Sequence, residues 1–337
     1  MDLYISGYTK KDSKGVYYVE FDGNKFTNPK LVLEADNPTY MEYDKKNNII
    51  YILDKDHTNE KYCISSYKIK LDNSLEHIDT SYSLTNTSAC HLALDFENQN
   101  IYTSSYHDSL FEQRKFNPIN GMITKPTNIF YGDGSGPISD RQEKSHIHMV
   151  YPNGTFIYSC DLGSDTIYVI DIRNGECIQK FKTNPGSGPR HMTIVNNIAY
   201  IVTELSNEII WCKVNEVTGE LTFIGSLFLL PRTFDGNSQA SAILYNSDTN
   251  CIYTANRGYN HINVFKINDD GSLENIQNIY SGGHWCRDFY ISPDSRYLFT
   301  CHERTYELCA FLIDNKGMLT KLESETKVPE ATCIRVV

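Results

Sequence analysis

The sequence predicts an all-β protein assembled from seven similar units. Only nine alanines occur among its 337 residues, against 24 tyrosines and 15 phenylalanines. This balance disfavours helices and favours strands. A pair formed by an apolar residue and an aromatic residue also recurs along the chain, with turn residues at regular intervals after it. Repetition on this scale is typical of repeat architectures.

The recurring pair marks the start of each unit. It occurs at Leu3-Tyr4, Ile50-Tyr51, Ile101-Tyr102, Ile157-Tyr158, Ala199-Tyr200, Ile252-Tyr253 and Leu298-Phe299. The aromatic positions are separated by 47, 51, 56, 42, 53 and 46 residues. A second strand is predicted after each pair, over 16–21, 63–69, 110–116, 166–172, 208–214, 261–267 and 307–313. Turns such as Asn120-Gly121 and Asp270-Gly271 then lead into a third strand, because these dipeptides supply the positive φ that tight hairpins need.

Four short strands repeated seven times predict a seven-bladed β-propeller with four-stranded antiparallel blades. The last segment, 331–337, resembles the strand that precedes the pair in other units, whereas Leu3-Tyr4 has no such strand before it. We therefore expect the C-terminal strand to pair with the N-terminal blade and close the ring, which removes two unpaired edges. Residues 1–337 would then form one domain. The alternative, a pair of β-sandwiches, explains neither the seven units nor the match between the termini.

Charge and composition exclude several classes of function. The chain has 31 basic and 42 acidic residues and a net charge of −11, which argues against nucleic-acid or anionic-membrane partners. No apolar run approaches the ~20 residues of a membrane span, and the first residues lack the features of a signal peptide. The ten cysteines form no CxxC pair and are interpreted as buried thiols in a reducing compartment. We therefore expect a cytoplasmic protein.

The innermost strands of a propeller line its central channel, so polar residues there are candidates for a site. Aligned by their apolar pattern, these strands place seven residues at one position: Tyr40, His91, His148, His191, Ala242, Asp288 and Cys333. The preceding position holds Thr39, Cys90, Ile147, Arg190, Ser241, Arg287 and Thr332. The residues that follow the apolar-aromatic strands are also polar, namely Asp54, Tyr106, Asp161, Glu204, Arg257 and Glu303.

Five motifs follow one another at the spacing of the units. They are Arg141-Gln142 with His146-Ile147-His148, Pro185-Gly186-Ser187-Gly188-Pro189-Arg190-His191, Thr203-Glu204-Leu205, Asn256-Arg257-Gly258 and Arg287-Asp288-Phe289. In this order they resemble the lactonase family of seven-bladed propellers, which includes 6-phosphogluconolactonases and carboxymuconate-cyclising enzymes. The resemblance covers essentially the whole chain.

The resemblance implies a catalytic cluster of His148, Glu204, Arg190 and Arg257 at the mouth of the channel. A lactone is an activated ester, so its hydrolysis needs a base for water and positive charge for the oxyanion. Either His148 or Glu204 would be the base, and Arg190 and Arg257 would bind the anion and stabilise the oxyanion. The candidates for substrate binding are Arg287, His146, His191 and His91.

Structural interpretations of the same residues remain open. His91 and His191 are equally compatible with hydrogen-bonded structural histidines, and Glu204 with Arg257 is compatible with a buried ion pair between blades. His146, His148 and His191 lack the carboxylate spacing of a metal site, so no metal and no cofactor are expected.

Three places depart from the family pattern. Ala242 stands where the family has an acidic residue, and Ser105-Tyr106-His107-Asp108-Ser109 replaces a stretch with Asn-Tyr and glycine. Trp285-Cys286 precedes Arg287 in place of the usual residues. A missing carboxylate at 242 would change specificity or activity if it contacted the substrate.

The expected function is hydrolysis of 6-phosphoglucono-δ-lactone, a reaction of the pentose phosphate pathway, with a small anionic sugar lactone as the partner. No Gly-x-Ser-x-Gly elbow is present, so no covalent nucleophile is expected. The alternatives are another anionic lactone, a cycloisomerase for a dicarboxylate, or a non-catalytic propeller that binds a protein partner. The enzyme hypotheses predict a recessed cationic pocket, whereas the binding hypothesis predicts a flat face. The sequence does not indicate the oligomeric state.

Overall fold

Seven four-stranded antiparallel sheets form a ring in the computed structural model, which describes residues 1–56 and 58–337. This is the predicted seven-bladed β-propeller. From the inside outwards, blade 1 contains β28 (Ala331–Val336), β1 (Asp2–Gly7), β2 (Gly15–Glu20) and β3 (Lys30–Glu34). Blade 2 contains β4 (Met41–Asp44), β5 (Ile49–Lys55), β6 (Tyr62–Ile69) and β7 (Leu75–Tyr82). Blade 3 contains β8 (His91–Asp95), β9 (Asn100–Ser105), β10 (Leu110–Lys115) and β11 (Asn128–Tyr131).

The other four blades use consecutive strands in the same order. Blade 4 contains β12 (Ile147–Asn153), β13 (Phe156–Asp161), β14 (Thr166–Asp171) and β15 (Glu176–Lys182). Blade 5 contains β16 (Pro189–Val195), β17 (Ile198–Thr203), β18 (Glu208–Val214) and β19 (Leu221–Phe228). Blade 6 contains β20 (Gln239–Asn246), β21 (Cys251–Arg257), β22 (His261–Ile267) and β23 (Leu273–Tyr280). Blade 7 contains β24 (Cys286–Ile291), β25 (Tyr297–His302), β26 (Glu307–Ile313) and β27 (Leu319–Lys327).

The last strand closes the ring, as the match between the termini predicts. β28 pairs antiparallel with β1, with Leu3 opposite Val336 and Ile5 opposite Ile334. Each inner strand also contacts the inner strands of the neighbouring blades, and β28 contacts both β24 and β4. The seven inner strands therefore surround one central channel, and their N-terminal ends lie at the same mouth.

The core lies between the blades. Among the described residues, a buried apolar cluster fills each of the seven interfaces between neighbouring blades. The middle strands β13 and β14 are buried along their whole length, whereas the outer strand β15 alternates between exposed and half-buried residues. Burial of large apolar side chains on both faces stabilises the ring by about 1.5–3 kcal/mol for each residue.

In four blades the tyrosine of the recurring pair is hydrogen-bonded to the next blade. The hydroxyl groups of Tyr158, Tyr200 and Tyr253 donate hydrogen bonds of 2.7–2.8 Å to carbonyl oxygens in the outer hairpin turn of the following blade. Tyr4 does the same at 3.0 Å. In blade 7 the position holds Phe299, whose ring packs instead against Phe21 of blade 1.

The cysteines lie as free thiols within these blades. All ten are unpaired, and eight of them are buried, as the sequence predicts. In the described part of the chain, no helix has the length and apolar character needed to cross a membrane.

Candidate active site

A cavity of about 530 Å³ opens at the mouth where the inner strands begin. Its wall includes the side chains of Lys10, Arg141, Arg257 and Arg287, with Glu204 as the carboxylate. Four cations therefore face one anion in a protein whose net charge is −11. A recess with this local charge attracts small anions. It matches the prediction of the enzyme hypotheses and differs from the flat face expected for protein binding.

β-Bulges in the inner strands aim the key side chains at this mouth. In β12, Ile147 and Met149 pair with consecutive residues of β13, so His148 is an extra residue between them. Arg190 in β16 and Arg287 in β24 are extra residues in the same way. Bulges redirect side chains and often lie beside active sites. In this protein the bulges leave His148, Arg190 and Arg287 outside the regular pairing between the first two strands of their blades.

The bulges also correct the sequence alignment. That alignment placed His148 level with His191, but strand register makes His148 the equivalent of Arg190 and Met149 the equivalent of His191. The misalignment arises because the dipeptide His-Met occurs in both strands, at 148–149 and at 191–192, but begins at the bulge in β12 and one residue after it in β16.

Glu204 is the centre of the site. Its Oε2 atom lies 2.9 Å from Arg190 Nε and 2.5 Å from Arg257 Nη2, and its Oε1 atom accepts a hydrogen bond of 2.5 Å from Arg141. The Glu204, Arg190 and Arg257 side chains are at most 4% exposed, while Arg141 is 28% exposed and faces the cavity. Tyr106 forms a further hydrogen bond with Arg141.

These contacts determine the ionisation of Glu204. Burial acts to raise the pKa of the Glu204 carboxyl, but Arg257, Arg190 and Arg141 outweigh it and hold the pKa well below its usual value. Burial lowers the pKa of Arg190, and the Glu204 carboxylate opposes that effect. Glu204 is therefore a permanent anion that holds three guanidinium groups together, which makes it a weak acceptor for a proton from water.

The glycine-rich loop before β16 positions Arg190. The Asp165 carboxylate accepts hydrogen bonds from the backbone N–H groups of Gly186 and Gly188, at 2.7 and 2.8 Å. The fully buried Gln142 side chain donates a third, at 2.7 Å. Gly188 has a φ of +63°, and a Cβ atom there would lie 2.8 Å from Leu205 Cγ. Both the conformation and the close approach require glycine at this position.

His148 lines the same cavity as Arg141, Arg257 and Glu204. It is 6% exposed, and its Nδ1 atom has no partner among the described residues. Burial, followed by the positive charge of Arg190, lowers the pKa of His148 well below its usual value. The imidazole is thus neutral near pH 7, with a free nitrogen that can accept a proton.

His191 and His91 lie deeper in the channel. The His191 ring centre is 5.0 Å from that of His148 and 5.3 Å from that of His91. His191 lines a small enclosed cavity of about 30 Å³ below the mouth, and both His191 and His91 line a cavity of about 420 Å³ at the opposite mouth. Burial lowers the pKa of His91 to about 3. Neither histidine lines the cationic cavity, but His191 shares the small cavity below it with Arg190 and Arg287.

His146 lies behind the cavity wall. Its ring stacks on Tyr106 with centres 4.2 Å apart, its Nδ1 atom is 2.9 Å from the Tyr106 carbonyl oxygen, and its Nε2 atom is 3.0 Å from Glu143 Oε1. These contacts orient Tyr106, which does line the cavity. Direct contact between His146 and the substrate stays a prediction. Its ring does not line the cavity, and both of its nitrogens face protein groups.

The departures from the family pattern fall in different places. Ala242 is buried and lines the cavity at the opposite mouth, so the absent carboxylate is not missing from the cationic cavity. Trp285 lines the cationic cavity at a φ of +73°, with its backbone N–H donating to Asn260 Oδ1 at 2.8 Å. Cys286 packs in the core between blades 6 and 7.

Sequence reasoning missed four residues of the cavity wall. Arg141 was part of a recognised motif without an assigned role. Tyr106 was named as a polar position after a strand and as part of a departure from the family pattern, also without a role. Tyr8 and Lys10 lie in the loop after β1 and belong to none of the five motifs. In the described part of the chain, no group of three or more His, Cys, Asp or Glu side chains is arranged to hold a metal ion.

Comparisons with known proteins agree over the whole chain. The family model "Lactonase, 7-bladed beta-propeller" matches residues 2–336. The 6-phosphogluconolactonase of Bacillus subtilis is 33% identical over 346 aligned positions, which cover 98% of this chain and 97% of that protein.

Solved structures show the same fold. A protein from Lactobacillus plantarum has a TM-score of 0.91 and 28% identity, with coverage of 100% of this chain and 99% of that one. The periplasmic gluconolactonase of Pseudomonas aeruginosa has a TM-score of 0.88 and 21% identity, with coverage of 99% and 98%. The chain belongs to the lactonase family of seven-bladed β-propellers and is a lactone-hydrolysing enzyme.

Proposed function

We propose that this enzyme hydrolyses 6-phosphoglucono-δ-lactone to 6-phosphogluconate, the lactonase step of the pentose phosphate pathway, in the cytoplasm. The observation that carries the proposal is the cluster in which Glu204 holds three arginines beside His148, in a cavity with an excess of positive charge. The 33% identity to a 6-phosphogluconolactonase over nearly the full length supports the same substrate.

The geometry favours His148 as the base. Glu204 is committed to Arg141, Arg190 and Arg257, whereas the neutral imidazole of His148 keeps an unpartnered nitrogen. In the first step His148 accepts a proton from water while the water oxygen attacks the lactone carbonyl carbon. A general base held in place contributes about 10²–10⁴-fold to the rate.

The arginines stabilise the charge that this attack creates. The carbonyl oxygen becomes an oxyanion. Arg141 and Arg257 line the cavity and would donate N–H groups to it, whereas Arg190 lines the small cavity below and adds positive charge from a buried position, where its electrostatic effect is strong. In the second step the tetrahedral intermediate collapses, the bond from carbon to the ring oxygen breaks, and that oxygen takes the proton from His148. The products are the free carboxylic acid, which ionises, and the hydroxyl group of the opened chain.

The test follows the disappearance of freshly prepared 6-phosphoglucono-δ-lactone at neutral pH with and without enzyme. Glucono-δ-lactone serves as the non-phosphorylated control, and the spontaneous rate is subtracted for each. We expect faster loss of the phosphorylated lactone in the presence of enzyme, and near-background rates with His148→Gln and Arg190→Ala. Loss of this lactone at the spontaneous rate in the wild-type sample would refute the proposal.

A further inference from the structure

We propose that Arg287 and Lys10, on either side of the Tyr8 ring, form a phosphate-binding subsite that makes the enzyme selective for phosphorylated lactones. This inference rests on the proposed function and assigns a distinct part of the cavity to the phosphate group.

Three of the arginines are already committed to a carboxylate. Arg141, Arg190 and Arg257 each lie within 2.9 Å of an oxygen of Glu204. Arg190 and Arg257 also donate to the backbone carbonyl oxygens of Ser241 and Ala240. Their charge is partly neutralised and their orientation is fixed, which suits stabilisation of an oxyanion rather than capture of a dianion.

Arg287, in contrast, has most of its N–H donors free. Its one ion pair is a long contact of 3.4 Å with Glu303, and its guanidinium group donates no hydrogen bond to any residue that the structure describes. Its side chain is 20% exposed and lines the cavity. A guanidinium group has five N–H donors in a planar fork that fits two phosphate oxygens at once. Most of those donors are available here.

Lys10 provides a second cation on the same wall. Its Nζ atom lies 4.1 Å from the centre of the Tyr8 ring, and Arg287 Cζ lies 5.4 Å from the same centre. Tyr8, Lys10 and Arg287 all line the cavity. The two charges thus flank one aromatic ring at the junction of blades 1 and 7.

The loop that carries Lys10 is anchored to the protein. The carboxylate of Glu330, which is 5% exposed, accepts hydrogen bonds of 2.8, 3.0 and 3.2 Å from the backbone N–H groups of Lys11, Asp12 and Ser13. Tyr8 also donates its backbone N–H to the Glu330 carbonyl oxygen at 3.1 Å. The backbone on both sides of Lys10 is therefore held in place, which reduces the entropy lost when its ammonium group binds a ligand.

The division of charge gives a bound substrate one orientation. A phosphate dianion is drawn to the two cations that lack a carboxylate partner at close range, and the lactone carbonyl then points towards Arg190, Arg257 and His148. A lactone without the phosphate interacts only with the part of the cavity near Arg257 and His148. We therefore expect the selectivity between the two lactones to depend on Arg287 and Lys10.

The experiment measures kcat/KM for 6-phosphoglucono-δ-lactone and for glucono-δ-lactone, and takes the ratio as the readout. The variants are Lys10→Ala and Arg287→Gln, with Lys14→Ala as the matched control, because Lys14 is an exposed lysine of the same loop outside the cavity wall. We expect the ratio to fall about tenfold in Lys10→Ala and further in Arg287→Gln, mainly through a higher KM for the phosphorylated lactone. Inhibition of the wild type by inorganic phosphate should weaken in both variants.

The outcomes separate the two proposals. A wild-type enzyme that prefers the phosphorylated lactone, with the same ratio in Lys10→Ala and Arg287→Gln, overturns the subsite and leaves the proposed function standing. An equal fall of the ratio in Lys14→Ala also overturns the subsite, because the effect then reflects general surface charge. A wild-type enzyme that hydrolyses both lactones equally well overturns the subsite alone, and one that hydrolyses neither overturns both proposals.

Discussion

Arg257 Nη2 lies 2.5 Å from Glu204 Oε2, and this contact joins blade 6 to blade 5 at the mouth of the channel. The same carboxylate binds Arg190 within blade 5 and Arg141 from the segment before blade 4. One buried anion thus organises cations from three separate parts of the ring. The site consequently depends on the ring being closed and correctly packed.

Replacement of Glu204 by Gln should impair both stability and activity. The variant leaves three neighbouring guanidinium groups without their anion, and removal of one partner of a buried ion pair typically destabilises a protein by about 3–5 kcal/mol. We expect a lower free energy of unfolding, measured by urea denaturation, and loss of most lactonase turnover. Glu274→Gln, at an exposed position of β23, is the control and should match the wild type. Wild-type stability in Glu204→Gln would show that the ion pairs are not structural.

The pH profile should identify the base. Since burial and Arg190 hold the pKa of His148 well below the usual histidine value of about 6.5, the base stays deprotonated as the pH falls through that value. We expect kcat/KM to remain on its plateau from pH 7.5 to 6 and to decline only at lower pH. His148→Gln should lose at least about 10²-fold in kcat, which is the lower range for a general base.

The control for this prediction is His77→Gln, because His77 is an exposed histidine on β7. It should keep the wild-type profile. An acidic limb centred near pH 6.5 in the wild type would argue against His148 as the base, as would near-normal turnover in His148→Gln.

The protein should lose stability as the pH falls below 6.5. Burial is the main cause that lowers the pKa of His91 to about 3 and that of His302 to about 4, and it lowers those of His148 and His191 well below 6.5. The unfolded chain binds protons at these histidines near pH 6.5 while the folded protein does not, so acid favours unfolding.

Between pH 7.5 and 5.5 each such histidine should remove about 1.4 kcal/mol from the free energy of unfolding, and the four together about 5 kcal/mol. Urea denaturation at several pH values measures this slope. His302→Gln should reduce the slope by about one quarter. A free energy of unfolding that is constant over this range would contradict the assignment of neutral buried histidines.

Gly188→Ala should impair catalysis through Arg190. The new methyl group would meet Leu205 at 2.8 Å, and the loop that leads into β16 would have to shift. Displacement of a positioned group by about 1 Å can reduce turnover about 10²-fold. Gly175→Ala is a matched control, since it has a φ of +75° and open space around the new Cβ atom. Both variants should lose about 1 kcal/mol of stability from the unfavourable φ, but only Gly188→Ala should lose activity.

Tyr200→Phe tests how the blades are connected. The Tyr200 hydroxyl donates a buried hydrogen bond of 2.8 Å to the carbonyl oxygen of Gly271 in the next blade. Its removal should lower the free energy of unfolding by about 1 kcal/mol, with unchanged kinetics. Tyr131→Phe, at a tyrosine that is 65% exposed, should have no measurable effect. Equal stability of the two variants would show that the contact between blades is dispensable.

The fold was accessible from the sequence because its signals are local and repeated. The predicted second strands over 208–214, 261–267 and 307–313 coincide with β18, β22 and β26. Alternation with a period of two residues, seen in seven copies, leaves little freedom for another register. The closure of the ring by β28 followed from comparing one unit with the next.

The site was harder to predict because its geometry depends on departures from the repeat. A bulge leaves no mark in the apolar pattern, so the alignment followed the His-Met dipeptide that both strands contain and placed His148 one position away from its true equivalent, Arg190. Tyr8 stands four residues after Tyr4, as Tyr106 does after Tyr102, but neither Tyr8 nor Lys10 belongs to one of the five motifs. The role of Glu204 as the anchor of three arginines depends on distances between blades, which sequence spacing does not encode.

The bulges have a consequence for how such enzymes diversify. His148, Arg190, Arg287 and Thr332 each occupy the one position of an inner strand that the hydrogen-bonded ladder bypasses. Exchange of a side chain at any of these places leaves the pairing of its blade intact. Side chains at these positions can therefore change during evolution without a change in strand pairing. New substrates can be accommodated in this way while the propeller itself is retained.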